Sequence, residues 1–288
     1  MQTEIGSSSL KVIINYTGAE VCSVKNKNDL EFIWQADKAV WARHAPVLFP
    51  IVGKLKDNFF IHEKKKYELP QHGFARDMKF ELIERKENSC IFQLTSTNET
   101  KKNFPFDFVF QISYSVIENT LETHYKVINA SDEAIYFSVG AHPGFNCPIL
   151  PNEKFEDHYL EFETNSFSQT KLNNGLGTNE KTKLDLTNKK LFLKKEMFDN
   201  DALVFENNQI NSISLCSSIS KHKVTLKCQN WPYFGAWTKK GNTQFICLEP
   251  WYGIADNENA TGQLIKKDGI IELAPKAVFD CHFSLIFS

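Results

Sequence analysis

Apolar and polar residues alternate along most of the chain in short runs, a pattern typical of β-strands with one buried face. The clearest pair of runs covers residues 108–117 and 121–129, with Glu118 and Asn119 between them. A short connection of this kind predicts a β-hairpin. Further hairpins are predicted at 59–69, and at 79–84 with 89–95. Helical periodicity does not extend beyond about ten residues anywhere, so we expect few and short helices.

The remaining segments fit the same all-β pattern, with two ambiguous regions. Residues 151–164 allow a short helix or a strand, and the polar residues 169–188 allow an exposed loop or a long hairpin. Short strands are predicted at 10–16, 21–24, 30–34, 134–139, 204–205, 212–216, 222–228, 234–237, 244–248 and 277–287. No linker rich in Pro, Gly or Ser divides the chain, and no repeat of fixed period is visible. We therefore predict a single domain over residues 1–288, a large two-sheet antiparallel β-sandwich.

Composition narrows the class of protein. Of the 288 residues, 42% are hydrophobic and 24% charged, as in ordinary globular proteins. The net charge of −2 and the lack of a long apolar run give no reason to expect nucleic acid or a membrane as a partner. Seven scattered cysteines without a C-x-x-C pair, and residues 1–9 without signal-peptide features, lead us to expect reduced thiols in a cytoplasmic protein.

Three residues stand out as candidates for acid–base chemistry. His142 lies between Gly140 and Pro143, which free and fix the backbone around it, although a plain turn would look the same. His72 precedes a glycine between two strands, where the alternative is a solvated loop histidine. Glu249 is expected at the end of a buried strand, where desolvation raises a carboxyl pKa towards the range of proton exchange. A structural glutamate that accepts loop amides is the alternative.

Other patterns point to the kind of ligand. Trp237 belongs to a group of aromatic residues near Glu249, and sugars bind to aromatic platforms beside polar groups. An aromatic cluster in a sandwich core is the alternative. A metal triad of His72, His142 and Glu249 lacks supporting local spacing. No dinucleotide, P-loop or nucleophile-elbow motif is present, so no cofactor is indicated.

Taken together, these segments resemble the aldose 1-epimerase (galactose mutarotase-like) family, closest to its bacterial LacX-like branch. Four stretches carry the resemblance: WARHAPVLFPIVGKLKD (41–57), QHGFARD (71–77), GAHPGF (140–145) and CLEPWYGIAD (247–256). The resemblance spans nearly the whole chain. It implies a two-sheet sandwich fold and interconversion of the α and β anomers of an aldose without a cofactor. It also implies a monomer or a homodimer.

The resemblance also implies a role for each residue. Glu249 would be the base that takes the proton of the anomeric hydroxyl, and His142 the acid that protonates the ring oxygen. Binding residues implied by the resemblance are Arg43 and His72 for hydroxyls or the ring oxygen, Asp201 for another hydroxyl, and Trp237 as a stacking platform.

The sequence departs from the family pattern in ways that leave the substrate open. Gly144 intervenes after His-Pro, where many members carry an aromatic residue, and the asparagine-rich first loop of the galactose-specific branch is missing. The patterns at 43–46 and 72–76 look more like the hexose-6-phosphate branch. Arg43 and Arg76 are two of only three arginines and could help to bind a phosphate. Arg76 could equally be a loop strut that pairs with Asp77 or Asp57. We expect a sugar or sugar phosphate as substrate.

Two other functions remain open on the sequence alone. A non-catalytic carbohydrate-binding protein or sensor could keep the same fold. A glycoside hydrolase would need a second carboxylate opposite Glu249, for which Asp201 or Asp256 is available. A histidine acid fits that mechanism poorly.

Overall fold

The computed structural model describes all 288 residues and consists mainly of antiparallel strands. The strands are β1 (Gln2–Gly6), β2 (Leu10–Asn15), β3 (Val21–Asn26), β4 (Val47–Leu48), β5 (Phe59–His62), β6 (Lys65–Glu68), β7 (Glu81–Arg85), β8 (Ser89–Thr95), β9 (Phe108–Ile117), β10 (Thr120–Asn129), β11 (Ile135–Phe137), β12 (Val139–Ala141), β13 (Gly144–Asn146), β14 (His158–Phe162), β15 (Ser166–Asn173), β16 (Leu176–Asp185), β17 (Lys190–Phe192), β18 (Leu203–Glu206), β19 (Ser212–Ser217), β20 (Lys223–Lys227), β21 (Tyr233–Trp237), β22 (Phe245–Tyr252), β23 (Ile271–Leu273) and β24 (Val278–Phe287).

Helices are few and short. There is one α-helix, α1 (Asn98–Asn103), and there are five 3₁₀ helices, at Lys56–Asn58, Ala75–Asp77, Phe155–Asp157, Lys195–Phe198 and Leu264–Lys266. None of them has both the length and the apolar character that a membrane crossing requires.

Two large sheets form the body of the molecule. One has nine strands in the order β17-β14-β19-β20-β24-β10-β9-β8-β7. The other has eight, in the order β16-β15-β18-β21-β22-β12-β4, with β13 paired to β22 beside β12. Smaller sheets are formed by β1-β2-β3, by β11-β23 and by β5-β6. Every strand pair in the large sheets is antiparallel.

Aromatic side chains from the two large sheets meet between them. Phe49, which follows β4, stacks on Phe110 of β9 with ring centroids 4.5 Å apart. Phe162 of β14 meets Phe167 of β15 at 4.9 Å. Buried residues alternate with less buried ones along β9, as a strand with one face on the core requires. The predicted two-sheet antiparallel β-sandwich is confirmed.

The strand predictions were correct where alternation was bounded by turn residues. The hairpins β5-β6, β7-β8 and β9-β10 lie where they were predicted. The ambiguous residues 169–188 form most of the long hairpin β15-β16. A strand at 30–34 was wrong, because these residues make only isolated bridges, Lys25 with Glu31 and Ile33 with Phe145. Their apolar side chains are buried by packing without a continuous strand partner.

Candidate active site

One cavity collects the residues singled out from the sequence. It lies at the eight-stranded sheet and has a volume of about 380 Å³, within the range of about 300–1,000 Å³ typical of small-molecule sites. Its lining includes Arg43, His72, His142, Asp201, Trp237 and Glu249. Residues as far apart in the chain as Arg43 and Glu249 therefore meet around a space of the size of a small ligand.

Glu249 lies within strand β22, so its expected position at a strand end was wrong. The strand continues through Pro250 to Tyr252. Leu248 donates its backbone N–H to Pro143 O at 3.3 Å. Two residues further on, the missing N–H of Pro250 faces the same side of β22. Pro250 lies between the residues that pair with β12 and those that pair with β13. No ladder hydrogen bond is lost there, so the strand can pass through a proline.

Alternation along β22 points Glu249 and Trp251 to the same face of the sheet. Two glycines make room for the Trp251 indole: a Cβ at Gly140 would lie 2.8 Å from it, and a Cβ at Gly235 only 2.4 Å. Gly235 is the register partner of Glu249 in β21. The absence of a side chain at Gly140 therefore makes room for an aromatic wall of the cavity.

His142 follows β12 directly and contacts Glu249. Its Nε2 lies 3.1 Å from Glu249 Oε2, and both side chains are less than a tenth exposed. Trp41 stacks on the imidazole with ring centroids 5.2 Å apart, and Trp237 meets its edge at 5.6 Å. The two tryptophans pack against the ring and hold its plane beside the carboxyl group.

Burial sets the charge state of this pair. Desolvation lowers the pKa of His142 to about 3. Desolvation, together with the nearby Asp201 carboxylate, raises the pKa of Glu249 well above its usual range. Both shifts favour an uncharged pair in the substrate-free protein, with one proton held between a carboxyl and an imidazole.

His72 is buried rather than solvated, and its tautomer is determined by the backbone. Its Nδ1 accepts a hydrogen bond from the backbone N–H of Gly53 at 3.1 Å, and the backbone N–H of His72 donates to Gly53 O at 2.9 Å. Because a backbone N–H can only donate, the ring proton lies on Nε2. Burial lowers the pKa of His72 well below its ordinary value, and His142 and Arg76 add to this shift. His72 is therefore neutral, and its Nε2–H lies 3.2 Å from the side-chain amide of Gln71 at the cavity wall.

The arginines at the cavity are both tied to Asp77. Arg43 Nη1 lies 3.0 Å from Asp77 Oδ1, and Arg76 Nε lies 3.8 Å from Asp77 Oδ2. Arg76 also donates from Nη2 to Gln71 O at 2.6 Å. Its Nε is buried without a hydrogen-bond partner, and burial lowers the pKa of this guanidinium to about 10. Arg76 is thus both a loop strut, with Asp77 and not Asp57, and a wall of the cavity.

Glu20 positions the loop that carries Trp41 and Arg43. Its Oε1 accepts hydrogen bonds from the backbone N–H groups of His44 and Ala45, at 2.8 and 3.0 Å. Gly144 in turn donates its N–H to His44 O at 2.8 Å. The first loop is therefore fixed directly against the segment that follows His142.

Asp201 stands where the cavity opens. Its φ of +84° is unusual for a residue with a side chain, and its Oδ1 accepts the N–H of Ala202 at 2.8 Å. Partial burial raises the pKa of this carboxyl group. The second oxygen, Oδ2, has no partner within the chain and is available to a ligand hydroxyl.

A potential metal-binding grouping exists, but it differs from the triad of His72, His142 and Glu249 considered from the sequence. Potential ligand atoms of His142, Cys247 and Glu249 lie within 4.8 Å of one another, so Cys247 and not His72 is the third member. Burial raises the pKa of Cys247 well above its ordinary value. Since a thiol binds metals as the thiolate, this environment suits acid–base chemistry better than metal binding.

Three contributors to the site were not assigned from the sequence: Trp41, Gly53 and Trp251. Trp41 and Gly53 lie in the same 41–57 segment as Arg43, and Trp251 lies two residues after Glu249. Their proximity to assigned residues was the available signal. Nothing in the sequence shows that Gly53 sets the tautomer of His72, because that contact depends on how two loops meet.

The fold and the buried histidine–glutamate pair place this chain in the class of galactose mutarotase-like sandwich proteins. It belongs to the aldose 1-epimerase family, whose model matches residues 1–270. The crystal structure of a galactose mutarotase related enzyme from Lactobacillus acidophilus is 38% identical, with a TM-score of 0.96, and the match covers 100% of this chain and 97% of that one.

Two curated relatives complete the comparison. Protein LacX (plasmid) of Lactococcus lactis subsp. lactis is 30% identical over 288 residues, covering 96% of this chain and 95% of the relative. The protein named "Putative glucose-6-phosphate 1-epimerase" of Escherichia coli (strain K12) is 29% identical over 136 residues, 43% of each chain. The family and these relatives support a sugar epimerase or mutarotase role.

Proposed function

We propose that this protein is a mutarotase that interconverts the α and β anomers of an aldose by opening and reclosing the sugar ring. Glu249 is the base and His142 the acid, and no cofactor takes part. The observation that carries the proposal is the 3.1 Å contact between His142 Nε2 and Glu249 Oε2 at a cavity of about 380 Å³. One domain, residues 1–288, supplies every residue of the reaction.

The pair can run the reaction in both directions because its proton count is constant. With sugar bound, the glutamate takes the proton of the anomeric hydroxyl while the imidazolium gives its Nε2 proton to the ring oxygen, and the C–O bond breaks. The pair is then a carboxylic acid and a neutral imidazole. After the aldehyde turns, the imidazole takes back the proton of the ring-forming hydroxyl and the carboxyl returns the other to the carbonyl oxygen.

The substrate-free pair already holds the same number of protons as the active ion pair. Moving one proton across the 3.1 Å contact converts a neutral acid and imidazole into carboxylate and imidazolium. Burial favours the neutral form, and sugar hydroxyls that hydrogen-bond to the charged groups would shift the balance towards the ion pair.

The other residues would bind and orient the sugar. His72 presents an Nε2–H donor suited to the ring oxygen or a hydroxyl, and Asp201 presents a free carboxylate oxygen suited to another hydroxyl. Trp237, half-buried at the cavity wall, offers an aromatic face for the apolar side of the ring. Arg43 adds a cation whose position is fixed by Asp77.

A phosphorylated aldose is the second candidate substrate. The supporting observation is Arg76, whose buried Nε has no hydrogen-bond partner while its guanidinium lines the cavity. One relative also carries a glucose-6-phosphate epimerase name. Against it, Asp77 already pairs with both arginines, so a phosphate would have to compete with a carboxylate. We therefore place the free aldose first.

Anomer exchange measured by NMR tests the proposal. Freshly dissolved α-anomers of glucose, galactose and their 6-phosphates are followed to equilibrium, and the uncatalysed rate is subtracted. We expect fast exchange of at least one sugar and a loss of about 100–10,000-fold in Glu249→Gln and in His142→Asn, since general acid–base catalysis contributes about 10²–10⁴-fold per group.

A matched control is available within the same chain. Glu153 and His158 form a second buried histidine–glutamate contact, at 3.2 Å, outside the cavity. Glu153→Gln should leave exchange within about two-fold of wild type in folded protein. Sugar binding without any acceleration would favour the non-catalytic sensor, and acceleration that survives both active-site substitutions would refute the proposed pair.

A further inference from the structure

A second, larger depression adjoins the cavity. It has a volume of about 670 Å³ and shares Leu172, Gly175, Asp201 and Ala202 with the first. We call it the outer groove. Its walls are the β15-β16 hairpin and the segment from Met197 to Leu203. Because Asp201 and Ala202 line both spaces, a ligand that fills the cavity and extends past Asp201 enters the outer groove.

The lining of the outer groove has the chemistry of a neutral polyhydroxyl site. Of its 14 lining residues, only four are hydrophobic, and the others are mainly amides and hydroxyls. The side chains of Gln169, Thr182 and Asn200 line the groove, are at least partly exposed and make no hydrogen bond within the chain, so their donors and acceptors are free. Sugars are recognised by such groups through paired hydrogen bonds.

The charges of the groove oppose an anionic ligand. Its single cation, Lys171, is paired with Glu180 at 2.8 Å. Two carboxylates, Asp199 and Asp201, line the same space. A phosphate or a carboxylate ligand would meet like charge and no free cation, whereas a neutral glycosyl unit would meet hydrogen-bonding partners.

The turn at the edge of the groove is fixed in place. Lys54 donates from Nζ to Asn174 O at 3.1 Å, which ties the tip of the hairpin to the loop beside His72. Gly175 has a φ of +80°, and a Cβ there would lie 3.9 Å from Asp201 Oδ2. The hairpin tip therefore approaches Asp201 closely and closes one side of the passage between the two spaces.

We propose that the outer groove binds the second glycosyl unit of a neutral reducing disaccharide, whose reducing aldose occupies the cavity with its anomeric carbon at His142 and Glu249. This inference rests on the proposed mutarotase function and names its substrate class. The catalytic centre acts only on the reducing end, and the glycosyl unit beyond Asp201 adds binding contacts without taking part in the chemistry.

The test compares sugars that share one reducing end. The aldose exchanged fastest in the NMR assay is compared with disaccharides that carry it at the reducing end through O3, O4 or O6. For glucose these include maltose, cellobiose and isomaltose, with glucose 6-phosphate as the anionic probe. We expect at least one disaccharide to exceed its monosaccharide ten-fold or more in kcat/KM, mainly through a lower KM.

A variant assigns the gain to the groove. Asn200→Trp fills the outer groove with an indole and should lower the ratio of disaccharide to monosaccharide kcat/KM about ten-fold. Lys221→Trp, an equally bulky change at an exposed position outside both spaces, should leave that ratio unchanged.

The failures are distinguishable. Exchange of the monosaccharide with no gain for any disaccharide overturns the inference and leaves the proposed function standing. A disaccharide gain that Asn200→Trp does not alter also overturns the inference and leaves the proposed function standing. A preference for the 6-phosphate over every disaccharide has the same meaning. No exchange of any sugar overturns the proposed function, and the inference falls with it.

Discussion

At the scale of single residues, the site depends on burial more than on charge. Desolvation keeps His142 and Glu249 from their ordinary charged forms. Because the two groups lie 3.1 Å apart, one proton can be held between them. A pair arranged in this way titrates as a unit, so its pH behaviour differs from that of an isolated histidine.

This arrangement predicts an unusual pH profile. The pair gains its extra proton at the lowered pKa of His142, about 3, and loses its shared proton at the raised pKa of Glu249. On the acid side, kcat/KM for the best sugar should therefore stay flat as pH falls through 6.5, the ordinary pKa of histidine. Polarimetry from pH 5 to 8, corrected for the uncatalysed rate, measures this pH dependence of kcat/KM. An inflection near 6.5 that disappears in His142→Asn would contradict the shared-proton account.

His72 gives a second prediction at this scale. Its φ of +66° is tolerated by asparagine better than by most residues, so His72→Asn should fold while losing the Nε2–H donor. We expect kcat/KM to fall about 10–100-fold, since a hydrogen bond of this kind contributes about 1.5–3 kcal/mol where charge develops.

The measurement is NMR exchange with circular dichroism as the folding control. His124→Asn, at an exposed position on the nine-stranded sheet, is the comparison and should keep full activity. Unchanged kcat/KM in folded His72→Asn would remove His72 from the binding site.

At the scale of elements, strands β21 and β22 hold the site through close packing. The Trp251 indole on β22 lies over the backbone of Gly235 on β21, where a Cβ would come within 2.4 Å. Real Cβ atoms do not approach so closely, so any side chain at 235 must displace the indole beside Glu249.

Gly235→Ala should therefore harm both stability and catalysis. Overpacking of this kind costs about 1–3 kcal/mol, and the displaced Trp251 would disturb a cavity wall, so kcat/KM should fall as well. Gly177→Ala is the matched control, because a Cβ there meets only Asp256 O at 3.8 Å. Urea unfolding of both variants is the measurement. Equal free energies of unfolding in the two would refute the packing argument.

The elements also show what a sequence can predict. The β9-β10 hairpin was evident because alternation ran for ten residues on each side of a polar turn. Residues 30–34 form a short, mostly apolar run that looks like a strand, yet their neighbours offer only isolated bridges. The extent of β22 past Glu249 was missed because Pro250 reads as a strand end, and only the gap between β12 and β13 makes the proline harmless.

Residue type and local context singled out most of the candidate site from the sequence. His142, Glu249, His72, Arg43, Asp201 and Trp237 were all named from the sequence and all line one cavity. What could not be predicted is how they are held, such as the Gly53 hydrogen bond to His72 and the Trp41 stack on His142. These contacts are made between loops distant in the chain, and local sequence does not encode them.

At the scale of the whole molecule, one buried ion pair connects the loops around the cavity. Lys267 and Asp256 lie 3.1 Å apart with side chains 3% and 4% exposed. Asp256 Oδ2 accepts the N–H of Lys56, and its backbone N–H donates to Lys54 O. Lys267 also donates to Ile254 O. The pair therefore joins the segment after β22 to the loop that leads from Gly53 to β5.

Removing one partner should leave an uncompensated buried charge. Lys267→Met should lower the free energy of unfolding by about 3–5 kcal/mol, as breaking buried pairs generally does. The second change, Asp256→Asn, removes the stranded carboxylate and keeps an acceptor for Lys56 N–H. The double variant should therefore be more stable than Lys267→Met alone, although Lys267 and Asp256 each make further contacts. A double-mutant cycle in urea isolates their coupling.

Measuring anomer exchange by NMR in the same variants tests whether the Lys267–Asp256 pair affects the active site as well as the stability of the fold. Ile254 and Ala255 line the cavity, and Ala255 packs against Gly53, which sets the tautomer of His72. Folded Lys267→Met should therefore have a raised KM, with kcat changed less because His142 and Glu249 belong to other elements. A loss of stability below about 1 kcal/mol, within the range of an exposed pair, would contradict the structural part. An unchanged KM in folded protein would show that the ion pair contributes to stability and not to substrate binding.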